Sequence, residues 1–140
     1  RATFGTWKRA GAPQDTKELR EKPDQITREV MAMVEREFPE CPGDVQRFWL
    51  PVDRAGAERW LKAFVQDRLP NFGQFEDMMA TGAPTLFHSV LSPLLNIDLL
   101  HPRVCVEAAI PAYQLVPAPL TSGEGYVRQL FGWRGFIIGV

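Results

Sequence analysis

The stretch His88-Ser89-Val90-Leu91-Ser92-Pro93-Leu94-Leu95-Asn96 decides how the rest of the chain is read. Ser92 is suited to cap a helix, because its hydroxyl can accept a backbone N–H left over in the first turn. Pro93 then sits at the first helical position, where its missing N–H costs nothing. Leu94, Leu95, Leu99 and Leu100 follow at near-helical spacing and predict a helix anchored in a core. Ser89 and His88 add two hydrogen-bonding side chains just before the cap. Free N–H groups, hydroxyls and an imidazole at a helix start suit an anion such as a phosphate. An ordinary capped helix uses the same residue types for structure alone.

Bulk properties bound the rest. The 140 residues are 45% hydrophobic and carry a formal net charge of −1. That is enough for one domain with a real core. Near neutrality argues against a uniformly basic coat and leaves room for a local basic patch. Cys41 and Cys105 offer neither metal-ligand spacing nor a disulfide framework. They read as two reduced thiols in a cytoplasmic protein, with no metal site. No apolar run nears the roughly 20 residues that span a bilayer, and no secretory signal is visible. The chain opens at Arg1 and closes on the apolar run Phe136-Ile137-Ile138-Gly139-Val140, which reads as a fragment of a longer protein.

Outward from the opening stretch, the pattern is helical. Residues 1–23, with Gly5, Gly11, Pro13 and a charged run from Lys17 to Lys22, read as an arm. Asp24 opens a helix with Ile26, Val30, Met33, Val34 and Phe38 on one apolar face, and Arg28, Glu29, Glu35 and Arg36 toward solvent. Pro39 ends it. Asp53 caps a second amphipathic helix whose buried stripe is Ala57, Trp60, Leu61, Phe64, Val65 and Leu69. This stripe reads as core, and Pro70 and Gly73 stop the helix. His101-Pro102 begins another helix, with Val104, Val106, Ala109 and Tyr113 inward and Pro111 as a kink or an end. Thr121-Ser122-Gly123-Glu124 reads as a capping box with Thr121 as the cap. The last helix then runs from about Gly123 to Phe136. The fold class is all-α.

Several blocks resemble, in order and spacing, the photolyase/cryptochrome family. His88-Ser89-x-Leu91-Ser92-Pro93 is similar to the family's flavin-phosphate loop. Its His-Ser start, where most of the family has Thr-Ser, resembles the bacterial iron–sulfur branch, the prokaryotic (6-4) photolyases. Arg68-Leu-Pro-Asn-Phe-Gly-Gln-Phe75-Glu-Asp-Met-Met79 resembles the family's Arg-Leu-Pro-x-Phe-Gly-x-Tyr-Gln-Asp-Ala-Met, with Phe75 for the usual Tyr. Glu124-Gly-Tyr-Val-Arg128-Gln129-Leu-Phe-Gly-Trp133-Arg134 resembles Glu-Gly-Phe-Ile-Arg-Gln-Ile-Leu-Gly-Trp-Arg-Glu. The resemblance runs from about Asp24 to Trp133.

What the resemblance implies is a helical FAD-binding domain, present in part. It divides the chain into a linker arm over residues 1–23 and a partial helical domain over residues 24–140. It implies FAD as cofactor, with His88, Ser89, Leu91, Ser92, Phe75, Gln129 and Arg134 as contacts. It implies damaged DNA as partner, with Arg128 and Trp133 at the lesion cavity, and a monomer without membrane contact. In such proteins reduced flavin gives an electron to a pyrimidine photolesion that has left the duplex. The implied activity is therefore a light-dependent DNA-repair lyase, or a cryptochrome-like photoreceptor, in the full-length parent. No catalytic residue is assigned. An antenna pigment and an iron–sulfur cluster belong to parts of the parent other than these residues.

Besides Phe75, three positions depart from the family pattern. Val90 stands for an Arg in the loop, Gly135 for the Glu after Trp-Arg, and Ile138 for an Arg in the tail. A lost arginine removes charge-assisted hydrogen bonds, which are the strong ones. Val90, Gly135 and the C-terminal part expected in the parent beyond this sequence favour a second reading, a degenerate non-catalytic helical module that binds DNA or a protein partner without flavin. The intact His88-Ser89 and Leu91-Ser92-Pro93 favour the first.

Overall fold

The first helix begins where its cap demands. Asp24 Oδ1 accepts the Thr27 N–H at 2.7 Å and starts α1, Gln25–Glu37. The side-chain and backbone hydrogen bonds from Thr27 hold the Asp24 carboxyl below the usual carboxylate range. The chain is seen in a computed structural model that describes residues 20–79, 83, 85–115 and 119–139, the side chains at 113–115, 133, 134, 137 and 138 excepted. Residues 1–19 of the expected arm thus lie outside the described residues. Its last residues are tied to later parts of the chain, where Glu21 N–H donates to Trp49 O at 3.1 Å and the Glu21 carboxylate pairs with Arg59 at 3.0 Å.

A 3-10 turn, Val45–Arg47, follows α1. Then Asp53 accepts the Gly56 N–H at 2.6 Å and opens α2, Arg54–Ala63. The expected stop at Pro70 and Gly73 is corrected. The helix passes through one π turn, Phe64–Arg68, in which the Leu69 N–H donates to Phe64 O, and continues as α3, Leu69–Phe75. The wider turn shifts the register, so Pro70 lies in the first turn of α3 where a missing N–H breaks no bond. Gly73 is inside α3 because another helix crosses it: a Cβ there would sit 2.6 Å from the backbone of Thr121 and Ser122.

Three more helices complete the order: α4, Ser92–Asn96; α5, Pro102–Leu115; and α6, Leu120–Gly139. No strand appears among the described residues, and the all-α expectation holds. The expected capping box at Thr121 is corrected too. α6 starts at Leu120, and the exposed Thr121 lies in its first turn. Ser122, which is buried, instead ties α6 to α3, accepting from Gly73 N–H at 3.0 Å and donating to Pro70 O at 3.2 Å. On α5 the inward face is Cys105 and Ala109, with Val104 exposed. Steps of four keep residues on one helix face, and Val104 falls off that line. The Tyr113 side chain lies outside the described residues. Pro111 stays within α5, flanked by Ala109 and Ala112, which both pack on the core.

That core joins α2, the π turn, α3, α4, α5 and α6 around Trp60, Phe64, Leu69, Leu94, Cys105 and Tyr126. Phe64, Phe72 and Tyr126 stack in tilted or edge-on pairs with ring centroids 4.9 to 6.0 Å apart. A smaller cluster of Phe75, Met78, Leu86 and Phe87 lies beside it. The apolar face expected for α1 is not buried: Ile26 is 70% exposed, Val30, Met33 and Phe38 are exposed, and Thr27 and Met31 are the helix's buried residues. Cys41 is an exposed thiol, and Cys105 is buried in the core. No helix among the described residues is long and apolar enough to cross a membrane.

Candidate functional site

The stretch that leads into α4 is strained and then braced. Leu86 and Val90 both have left-handed backbones, with φ of 41° and 54°. Val90 is β-branched, and such a residue crowds its own backbone there, at a cost of about 1–3 kcal/mol. Neighbours hold the path in place. Trp60 Nε1 donates to Ser89 O at 3.1 Å, and Arg68 Nη1 donates to His88 O at 3.3 Å. Both donors are buried, Trp60 at 0% and Arg68 at 2% exposure. The His88 ring bonds Glu76 O through Nε2 at 3.1 Å. A carbonyl only accepts, so Nε2 carries the proton. His88 N–H donates to Thr85 O at 2.8 Å.

This bracing has a consequence for the opposite side of the loop. In a trans peptide the C=O and the following N–H point in opposite directions. With the His88 and Ser89 carbonyls bonded inward, the Ser89 and Val90 N–H groups point away from the core. Val90 is followed by Leu91 at φ −90°, ψ −12°. A left-handed residue beside a right-handed one draws successive N–H groups into an anion-binding concavity. Among the described residues, none of the N–H groups of Ser89, Val90, Leu91 and Ser92 has a backbone acceptor. This donor set fits an anionic diphosphate. α4 has five residues, so the attraction comes from the loop's own N–H groups more than from a long helix dipole.

The expected N-cap at Ser92 is corrected. Ser92 is the first residue of α4, and no side chain caps the helix. Leu91, 1% exposed, is drawn into the core, and its backbone already begins the turn, with Leu95 N–H donating to Leu91 O at 3.0 Å. Ser92 is left exposed and Ser89 half-buried, so neither hydroxyl closes the helix. Leu91, with its side chain inside, presents only backbone to the loop.

The other predicted residues fall in two groups. Phe75 is buried in the small cluster, its ring stacked on Phe87 with centroids 4.9 Å apart. Arg128 on α6 stands between two carboxylates, 3.8 Å from Glu76 and 3.5 Å from Glu124. Gln129 is exposed beside it, and the two line an open hollow of about 470 Å³ with Gly132 and Phe136. The side chains of Trp133 and Arg134 lie outside the described residues. Glu76 connects the groups, with its carbonyl on His88 and its carboxylate on Arg128. Gly125 permits that approach, since a Cβ there would lie 2.7 Å from Glu76 Oε2. Leu91 and Leu94 belong to the same core as Tyr126 and Leu130.

Sequence reasoning missed Trp60, Arg68 and Glu76 as members of this site. Two signals were present. Trp60, read as plain core, carries an N–H that must find an acceptor when buried. Residues 60, 64, 68 and 72 recur at steps of four, and an Arg in that otherwise aromatic line needs a polar partner inside the protein. For Glu76 there was no local signal, because its partners come from other elements.

Comparison with known proteins adds to this geometry. The chain is 44% identical over 118 residues to the (6-4) photolyase of Agrobacterium fabrum, a match that covers 84% of this chain and 23% of that protein. It is 41% identical over 63 residues to an uncharacterized protein of Acanthamoeba polyphaga mimivirus, covering 44% of this chain and 48% of that protein. No family model matches. The chain therefore spans under a quarter of the photolyase and about half of the viral protein. Over the stretch it covers, the chain is similar to that photolyase.

Proposed function

We propose that the chain forms the FAD-binding part of a light-dependent DNA-repair photolyase, or of a photolyase-like photoreceptor, of the bacterial (6-4) branch. The observation that carries this reading is the braced loop 88–92, where the N–H groups of Ser89 to Ser92 have no backbone acceptor among the described residues and suit a diphosphate. It occurs in a chain 44% identical to a (6-4) photolyase. The N–H groups of Ser89, Val90, Leu91 and Ser92 and the hydroxyls of Ser89 and Ser92 would hold the diphosphate. His88 would anchor the loop through its ring bond to Glu76 O, and Phe75 would act through Phe87, on which it stacks. Gln129 and Arg134 would serve the cofactor, and Arg128 and Trp133 the damaged base, all from α6. Bound FAD supplies the electron-transfer chemistry, and these side chains bind, orient and exclude water. Arg128 would exchange its carboxylate partners for a DNA phosphate, which makes DNA affinity fall with salt. In this reading residues 1–23 are the linker into the helical part, and the protein works as a cytoplasmic monomer.

The test is titration of the chain with FAD, read by flavin absorbance and fluorescence. Wild type binds FAD, and the double variant Ser89→Ala/Ser92→Ala binds it at least about tenfold more weakly, because a hydrogen bond to an anion is worth about 1.5–3 kcal/mol. Unchanged affinity removes the loop from the binding site. A wild-type chain that takes up no FAD ends the reading.

A further inference from the structure

Arg68 is the buried charged residue among the described side chains. A guanidinium taken out of water is costly unless its donors are used. Leu or Met would complete the line of 60, 64 and 72 without that cost. The π turn, Phe64–Arg68, ends on this residue, and such turns re-aim side chains, often at functional sites. What Arg68 reaches is the loop, with Nη1 3.3 Å from His88 O. The neighbouring carbonyl, Ser89 O, is taken by Trp60 Nε1 at 3.1 Å. Two donors from one helical line thus engage two consecutive carbonyls on the strained side of Val90.

We propose that Arg68 is a positioning residue for the loop: with Trp60, it draws the His88 and Ser89 carbonyls inward and so presents the Ser89 and Val90 N–H groups outward for a diphosphate. This rests on the flavin reading above for its ligand, but not for the loop geometry itself. Arg68 touches no ligand in this role. Lysine does not replace it, because its single, strongly hydrated ammonium lacks the planar fork that reaches a carbonyl from a fixed direction.

The test compares wild type with Arg68→Lys for FAD, ADP and riboflavin binding, together with amide hydrogen exchange. FAD and ADP should weaken about tenfold, the scale of one lost charge-assisted bond, while riboflavin, which lacks the phosphates, is unchanged. The His88 amide, bonded to Thr85 O, should exchange faster, while the Tyr126 and Leu130 amides on α6 stay as they were. Equal weakening of FAD and riboflavin, or no weakening of FAD in a chain whose wild type binds it, overturns the proposal. If wild type binds no FAD, the functional reading fails and exchange alone decides. Faster exchange at His88 then sustains the clamp, and unchanged exchange overturns it. Should Arg68→Lys fail to fold, Trp60→Phe removes the bond to Ser89 O together with part of the indole's packing on Trp49, a loss of packing that does not distinguish FAD from riboflavin. Phosphate-selective weakening in that variant supports the proposal, and unchanged FAD binding refutes it.

Discussion

α1 and α2 begin alike and end differently. Asp24 and Asp53 each accept a backbone N–H three residues on, at 2.7 and 2.6 Å, and each helix carries an apolar stripe. The stripe of α2 is buried at Ala57, Trp60 and Leu61, while α1 leaves Ile26, Val30 and Met33 in the open. α2 continues through the π turn into α3, and this line meets α5 and α6; α1 packs chiefly on the 3-10 turn Val45–Arg47. Beside α1 runs a groove of about 610 Å³ lined by Ile26, Val30, Met31, Val45, Phe48 and Val52. A cap and a helical period suffice to make a helix, since both act within a turn or two. Burial needs a complementary surface from elsewhere in the chain, and only α2 has found one among the described residues.

The contrast can be broken most forcefully at Phe64, which is fully buried against Phe72 and Tyr126. Phe64→Ala should cost about 3–5 kcal/mol in urea denaturation. A loss of less than about 1 kcal/mol, the level of a surface change, would mean that the packed half is no tighter than α1. Glycines give the next largest effect. Gly73→Ala should destabilise by about 1–3 kcal/mol, because its Cβ would meet backbone of α6 at 2.6 Å. Gly135→Ala on the same α6 has open space around it. It should gain about 0.5–1 kcal/mol from reduced chain entropy, seen as a later denaturation midpoint. The smallest effect is expected on α1. Val30→Ser should change stability by no more than about 0.5 kcal/mol, as Val and Ser have similar helix propensity. A loss above about 1 kcal/mol would show that this face is covered in solution.

Legibility follows the same division. The helix starts at Asp24 and Asp53 were readable because a cap and its partner are three residues apart. The α2 stripe and Leu94 and Leu95 of α4 were readable from spacing, whereas Leu99 and Leu100, read as part of the same helix, lie beyond its end at Asn96, their N–H groups both on Leu94 O. Ser92 and Thr121 looked like caps by the same rule and are not. Leu91 is drawn into the core and starts α4 a residue early, and Ser122 bonds α3 in place of a box at Thr121. The π turn escaped notice because its sequence is an ordinary amphipathic run; Pro70 after it read as a stop.

The loop shows the boundary most sharply. From the residues alone came the all-α class, the helix order and the candidacy of 88–92 as a phosphate cradle. Which way that loop's peptides face was decided by the tertiary structure, through bonds from Arg68 and Trp60 to carbonyls 20 and 29 residues further along. The close passage of α3 over α6 was decided by a glycine and a serine 49 residues apart. Capping and periodicity are short-range and leave a trace in neighbouring letters. The direction of a carbonyl is set by whichever donor the fold brings to it, and that pairing is written in no local stretch.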